Sequence, residues 1–546
     1  MKAIPSKVLT QIIQGPEPKA NEILLKILSQ PKIEFQQLSN LGKQLMNIGR
    51  FALAGRIFAR WAEIHPKNAM AWSNLGGCLA RMNLLKQAKE VLQHAIEIDP
   101  SYVGARVNIC GVFQSLGEHH LALENALAAV QADPKSYLAF NNLGTALKEL
   151  GFSAEAKHAF ETSLMLSKDV FFPKFNLAKI EAESGNPELA IVHFEELLND
   201  ETRNRGANID MVKYALGFEY LKVGRISEGF DFYEKGFSEK IPSRIARHPH
   251  RKFYVPQWDG TELKAGQRLM VWREQGVGDE VMFGACLPLL EKYDAKIILE
   301  IDKRLIDVFQ RSFPDFEVRE QRFSPGDGLI QTMRDYDFHI SIGCLYKHFV
   351  QSLDDMKELD AYLQPNLELA QKFSDRLDDL GPGRKIGICW RSGTLSTNRN
   401  SAYTHLVDWA SIFAMPNTVF VNLQYGDCEE ELREAESLHN IKIHRWDDVD
   451  LKEDLESVFA LMHNLDGFIS VGTAVVPFAG AVGLPGVVML KKGWALLGRE
   501  DKYPWFPGIK PVVIPSNGFV AQALPLAPNA LEEILCEYQS TQLAAV

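Results

Sequence analysis

Several protein classes leave marks that this sequence of 546 residues does not carry. It contains no run of eighteen apolar residues, so no membrane-spanning helix is expected. Its formal net charge is -11 and no Lys/Arg block interrupts it, so nucleic-acid binding driven by phosphate neutralisation is not expected. The seven cysteines (78, 110, 286, 344, 389, 428 and 536) fall singly with no CxxC pair, which excludes both a disulfide framework and a zinc-ribbon spacing. They are expected to be reduced thiols of a cytoplasmic protein. The opening MKAIPSKVLTQIIQGPEPK has neither a long apolar segment nor a small-residue cleavage site, so no secretory signal is expected. His248 and His250 in ARHPHRK have ligand chemistry, but a solvated basic loop is the expected reading, and no metal site is expected.

What is present begins with a repeat. Pro66, Pro100 and Pro134 recur at intervals of 34 residues. Between the first two, Trp72, Leu75, Gly76, Leu79, Ala88, Leu92, Ala95 and Pro100 occupy the positions of a tetratricopeptide (TPR) consensus. Phe140, Leu143, Gly144, Leu147, Ala156 and Phe160 repeat it two periods later, and Leu38, Leu41, Gly42, Leu45, Ala54, Phe58 and Pro66 one period earlier. The unit between is weaker, keeping Ile109, Phe113, Ala122 and Pro134. Five units fit between Phe35 and about Asn204, and Leu216, Gly217, Tyr220, Gly229 and Tyr233 suggest a degenerate sixth. The small residues should let the two helices of a unit approach closely, while the large ones fill the seams. Such an array offers a concave groove for a peptide or protein.

From about Trp258 the helical period gives way to alternating strand and helix signals. RLMVW, KIILEI and FHISIG read as one set of buried strands; KIGICW, TVFVNLQ, DGFISV and GVVML read as a second. Gly381-Pro382-Gly383 between the sets reads as a hinge. Two parallel sheets with helices on their faces would place a ligand at the carboxyl ends of the strands, in the cleft between lobes.

Three turns on those strand ends carry candidate chemistry. WREQGVGDEVMF fails the dinucleotide fingerprint, because position 281 is Val, and fails the P-loop, because Asp-Glu follows Gly278. Asp279 is left as either a cap for a helix starting near Val281 or a functional acid. IGICWRSGT sets Arg391 and Ser392 just past a strand, with Arg399 a few residues on; an arginine there suits a diphosphate. ISVGTAVVPFAG sets Gly472 and Thr473 at a helix N-terminus, where backbone N–H groups can receive phosphate oxygens.

With EQGVGDE, ICWRSGT, NRNS, VNLQYGD and SVGTAVVPFAGAVGLPGVVML on hand, the second half resembles bacterial TPR-linked glycosyltransferases. Their catalytic part is similar to the ADP-heptose heptosyltransferases and has the GT-B fold of two facing Rossmann-like lobes; O-GlcNAc transferases and flagellin glycosyltransferases share the arrangement. The resemblance implies that Asp279 is the general base toward the acceptor hydroxyl. It also implies that Arg391, Ser392, Arg399, Gln424, Gly472 and Thr473 contact a nucleotide-sugar donor, which is a substrate, with no further cofactor and no metal. The group's usual Asp-Thr, with His four residues beyond the Thr, is here Gly472-Thr473 with Pro477. These departures leave the donor open, and leave room for a lobe that binds without turnover.

The expected fold class is therefore α plus α/β: a TPR α-solenoid followed by a two-lobed GT-B region. The expected division is a helical cap over 1–34, TPR repeats over 35–240, a linker over 241–266, an acceptor-side lobe over 267–380 and a nucleotide-sugar lobe over 381–546. The expected function is an inverting, metal-independent glycosyltransferase acting on a protein hydroxyl, with the acceptor held in the TPR groove and flagellin the acceptor suggested by resemblance. Two alternatives stand beside it: a non-catalytic TPR adaptor with a degenerate transferase-like domain, and a glycosyltransferase with a polysaccharide or small-molecule acceptor. DDVD at 447–450 is the nearest approach to a metal-binding carboxylate pair, and an exposed turn is the expected reading of it.

Overall fold

The structure, a computed structural model, describes residues 6–29, 35–167, 171–199, 207–239, 241, 246–321, 335–358, 361–393 and 401–545. It forms two compact units, Met1–Ile180 and Glu181–Val546.

In the first unit, helix pairs such as Phe35–Asn47 with Phe51–Ile64 and Ala69–Arg81 with Leu85–Ile98 follow the 34-residue period. The small-large pairing has a direct steric basis. A Cβ on Gly42 would lie 2.7 Å from the Phe58 ring, one on Gly76 2.5 Å from Leu92, and one on Gly144 2.7 Å from the Phe160 ring. In the weaker unit Cys110 holds the glycine position and Ala126 the large one, both buried. The larger residue on one helix is matched by the smaller on the other, which conserves volume at the contact. Asn108, Asn142 and Asn176 share one consensus position and tie each unit to the one before it. Their amide nitrogens donate to the Ser73 carbonyl (3.2 Å), the Val107 carbonyl (2.8 Å) and Asn141 Oδ1 (3.2 Å).

The second unit opens with further helices, including Pro187–Asn199, Ala207–Lys222 and Ile226–Tyr233. In the degenerate repeat a Cβ on Gly217 would stand 3.0 Å from the Gly229 carbonyl oxygen, so the two helix backbones nearly touch. Leu221, Ile226, Phe230 and Tyr233 then join a core with Phe283, Tyr346 and Trp505 of the α/β region. The stretch ahead of the first strand is packed as well: Arg247 and Trp258 are buried, and Gln257 bridges to His339.

Two all-parallel sheets follow. The first contains β1 (Arg268–Trp272), β2 (Lys296–Ile301), β3 (Glu317–Glu320) and β4 (Phe338–Ser341), in the order β3-β2-β1-β4. The second contains β5 (Arg384–Cys389), β6 (Thr418–Asn422), β7 (Ile443–His444), β8 (Gly467–Val471), β9 (Gly486–Lys491) and β10 (Ile509–Ile514), in the order β10-β9-β8-β5-β6-β7. Both lobes wind outward in two directions from their first strand, the doubly wound Rossmann-like order, and the second has all six strands. The fold class is α plus α/β, a TPR solenoid followed by twin Rossmann-like lobes. Gly381-Pro382-Gly383 forms the turn into β5, with Gly383 at φ +117° and against the Asn417 carbonyl. No helix among the described residues is long and apolar enough to cross a membrane.

Candidate functional site

The first lobe presents the acid turn at the carboxyl end of β1. The helix there spans Val277–Gly284 with Gly276 as its N-cap, so it begins four residues before the expected start. Asp279 is consequently not the cap but lies in the first turn, where its Oδ2 accepts the Gly276 N–H at 3.1 Å. Gln275, just ahead, holds φ +57° and donates its N–H to the His248 carbonyl at 2.8 Å. A non-glycine residue in that region is strained and needs such an anchor.

Three carboxylates crowd this turn, and their surroundings separate them. Glu274 is fully buried, accepts Arg247 Nε at 2.6 Å and takes the Gly343 N–H on its other oxygen at 2.8 Å. Arg247 is itself fully buried, its guanidinium 3.8 Å from the Tyr233 ring centre and 4.0 Å from that of Phe237. Glu280 is fully buried beside Arg273 (2.8 Å) and the Asp302 N–H (2.8 Å); burial pushes its pKa up to about 8 against the pull of Arg273. Asp279 alone of the three is only partly buried. Burial raises its pKa; the Gly276 N–H opposes this, and Glu274 adds to the rise. A carboxylate held above its ordinary range is a better proton acceptor than a free one.

The second lobe meets this turn directly. A Cβ on Gly278 would stand 3.0 Å from Ala474 Cα and 3.1 Å from its Cβ, so the bare glycine lets the β1 turn abut the turn that follows β8. Gly472, next to it, is exposed, and a side chain there would meet nothing within 4 Å. The Thr473 hydroxyl lies 3.4 Å from the Val475 N–H, 3.3 Å from Ser470 Oγ and 3.5 Å from Cys389 Sγ. Pro477 is buried in the helix Val475–Ala481, within its first turn, where a missing N–H costs no hydrogen bond.

The remaining expected donor contacts separate. Arg391 Nε donates to both oxygens of Glu431, at 2.9 and 3.0 Å, and Nη2 donates to the Asp427 carbonyl at 2.8 Å. Arg391 is thus held in an ion pair within the lobe through Nε and Nη2, while Nη1 has only the Ser392 carbonyl at 3.4 Å. Gln424 is buried; its Oε1 accepts the backbone N–H of Trp390 (3.2 Å) and Arg391 (3.0 Å), and its Nε2 donates to the Tyr425 carbonyl. That amide clips the end of β5 to the end of β6, and Gln424 also lines the cleft beyond the ends of β6 and β7. Ser392 Oγ receives Tyr425 Oη at 3.4 Å at the cleft edge. Arg399 lies outside the described residues. Asp448 of the DDVD turn pairs with Arg376 at 2.6 and 3.0 Å. Among the described residues no group of three or more His, Cys, Asp and Glu is arranged to hold a metal.

A cleft of about 500 Å³ opens beyond the ends of β6 and β7, lined by Asn422, Tyr425, Asp427, Arg445, Trp446 and Lys452 among others. Sequence reading missed this cleft because β7 has two residues and gives no strand signal; the aromatic-cation pair Arg445-Trp446 was the available clue. Its place at the carboxyl edge of a doubly wound sheet is where such folds bind ligands.

The fold and site define a TPR protein fused to a twin Rossmann-like region. Residues 69–102 match the family model described as tetratricopeptide repeat. The chain is 31% identical to Protein FlbA of Caulobacter vibrioides over 529 residues, covering 93% of this chain and 87% of that protein, and it belongs to the FlbA family. It is also 34% identical to the type IV pilus assembly protein PilF of Pseudomonas aeruginosa over 137 residues, which cover 23% of this chain and 52% of PilF. Among solved structures, a thermophilic TPR protein of Thermus thermophilus overlaps 31% of this chain and 93% of its own, with 20% identity and a TM-score of 0.30. The Cut9–Hcn1 complex of APC/C overlaps 42% of this chain and 44% of its own, with 20% identity and a TM-score of 0.35.

Proposed function

We propose that the chain is a cytoplasmic glycosyltransferase that moves a sugar from a nucleotide-sugar donor to a hydroxyl of a protein acceptor. The observation that carries this reading is the Gly278–Ala474 approach. It brings the β1 turn, which carries the partly exposed Asp279, against the turn that carries Gly472 and Thr473. In the proposed step Asp279 takes the proton of the acceptor hydroxyl. The hydroxyl oxygen forms a bond to the anomeric carbon, the carbon–oxygen bond to the diphosphate breaks, and its electron pair leaves with the nucleoside diphosphate. Inversion and metal independence follow from the resemblance to heptosyltransferases. The TPR repeats are the proposed grip on the acceptor, with flagellin the first protein to try.

The adaptor reading keeps two specific supports: Gly472 and Pro477 stand where the resembling enzymes carry acid and imidazole, and Arg391 is engaged by Glu431. Incubating the full chain with a panel of nucleotide sugars, with and without flagellin, separates the two. Donor hydrolysis and sugar transfer are expected for a transferase; neither reaction with any donor, from a chain that binds its protein partner, would leave the adaptor.

A further inference from the structure

Lys491 is the last residue of β9, at the carboxyl edge of the second sheet. Met489 is in register with Val471 of β8, so Lys491 stands two residues farther on, level with the Gly472–Thr473 turn. Its ammonium donates to Ser401 Oγ at 3.2 Å. Ser401 belongs to the chain that returns to β5, where the Thr404 N–H donates to the Trp390 carbonyl at 3.1 Å. Since β8 lies between β9 and β5, the Lys491–Ser401 contact belongs to the same carboxyl edge of the sheet as the open Gly472–Thr473 turn.

The electrostatic setting of this lysine differs from that of its basic neighbours. Arg391 is paired with Glu431, and Arg445 with Glu429 and Glu436. Lys491 is half-buried; its pKa is lowered by burial, and no carboxylate among the described residues acts on it. An ammonium has three N–H donors, and the Ser401 hydroxyl uses one of them. A half-buried cation with no carboxylate partner among the described residues, at the carboxyl edge of a doubly wound sheet, is matched by an anionic ligand.

We propose that Lys491 holds the donor's diphosphate and faces the negative charge that develops on it as the sugar leaves. This rests on the nucleotide-sugar reading above and assigns the phosphate contact to a residue on β9. The ligand class is a nucleoside diphosphate carried on its sugar. Lysine serves such a group as a point charge, without the paired geometry that arginine would impose.

Calorimetry on the full chain tests this with ADP, GDP, UDP and CDP, and with the nucleoside matching whichever diphosphate binds. Lys491→Met keeps most of the side-chain volume and is expected to weaken the diphosphate about 10- to 100-fold while leaving the nucleoside unchanged. Lys491→Arg should recover most of the loss. If Lys491→Met does not unfold cooperatively like the wild type, Lys491→Gln replaces it in the same comparison. Equal diphosphate affinity in wild type and variant would overturn the role of Lys491 while leaving the nucleotide site standing. Equal weakening of diphosphate and nucleoside would also overturn it, by making the lysine structural. No diphosphate bound by the wild type would overturn the nucleotide-sugar reading itself.

Discussion

Arg391 and Glu431 face each other in the second lobe, the guanidinium Nε almost equidistant from the two carboxylate oxygens at 2.9 and 3.0 Å. Trp390 Nε1 donates to the same carboxylate, so Glu431 gathers two neighbouring side chains from the end of β5. Arg391→Ala is therefore expected to leave nucleoside diphosphate affinity within about twofold of wild type and to lower unfolding free energy by about 1–3 kcal/mol. The lower end applies because Glu431 is partly open to water. Calorimetry and urea unfolding on one preparation read both quantities. A large loss of affinity with stability unchanged would return Arg391 to the phosphate.

The Gly278–Ala474 approach predicts a different kind of defect. Gly278→Val places atoms where Ala474 already sits, so the two turns must move apart. Turnover should fall on the order of 10- to 100-fold, because misplacement of about an ångström is costly to a reaction that depends on alignment. Diphosphate affinity should stay near wild type, since no residue of the second lobe is replaced. Unimpaired transfer by a folded Gly278→Val chain would mean that the turns need not meet during catalysis.

Asp279 and Glu280 give a pH signature. Burial raises the pKa of both in the folded chain, Glu280 to about 8. The folded state thus keeps protons that the unfolded state has released, and stability is lost as pH rises from about 4.5 through 8. Glu280→Gln should remove part of that loss, so its advantage in thermal midpoint over wild type should grow between pH 5 and pH 8. Asp279→Asn should also be no less stable than wild type at neutral pH, because Asn can still accept the Gly276 N–H. Its turnover should fall by about two to four powers of ten with donor affinity intact. Full activity in this variant would remove Asp279 as the base; Glu274 and Glu280, both fully buried, offer no accessible replacement.

The repeats can be tested by removing only the first unit. A chain that starts at Asn186 keeps the helices whose Leu221, Phe230 and Tyr233 complete the core around Phe283 and Trp505; a start near residue 241 would strip them. The shorter chain is expected to hydrolyse donor at the full-length rate and to lose transfer to a protein acceptor. Tethering can otherwise raise the local acceptor concentration to about the millimolar range. Side-by-side assays of hydrolysis and transfer decide this. Unchanged transfer would confine the repeats to some other task.

Much of this was legible in the sequence, for physical reasons that vary by element. The repeat is visible because Gly42, Gly76 and Gly144 are each forced by a large partner one helix away. The central strands β1, β2, β5, β8 and β9 are visible because burial on both faces demands apolar runs. The three missed strands are edge or near-edge elements with little such demand: EVRE of β3 is polar, β7 has two residues, and β10 carries Pro511, which edge strands tolerate. Side-chain partners were less legible. Arg391 in ICWRSGT looks the same in sequence whether it meets a phosphate or Glu431, a residue 40 positions away. Lys491 carried no motif, and only the sheet order and register place it on the same sheet edge as Gly472.

The Arg247 cage bears on how such proteins can be recombined. Its aromatic walls, Tyr233 and Phe237, come from the end of the helical half, while its carboxylate, Glu274, comes from the loop that leads to the acid turn. A chimaera joined near residue 240 would pair one parent's walls with another's Glu274 loop and disturb the approach to Asp279, even with every repeat intact. A join near residue 185 leaves the cage within one parent. The segment that can be exchanged without cutting the cage is therefore shorter than the run of helices suggests, because the last helical pair packs as part of the α/β body.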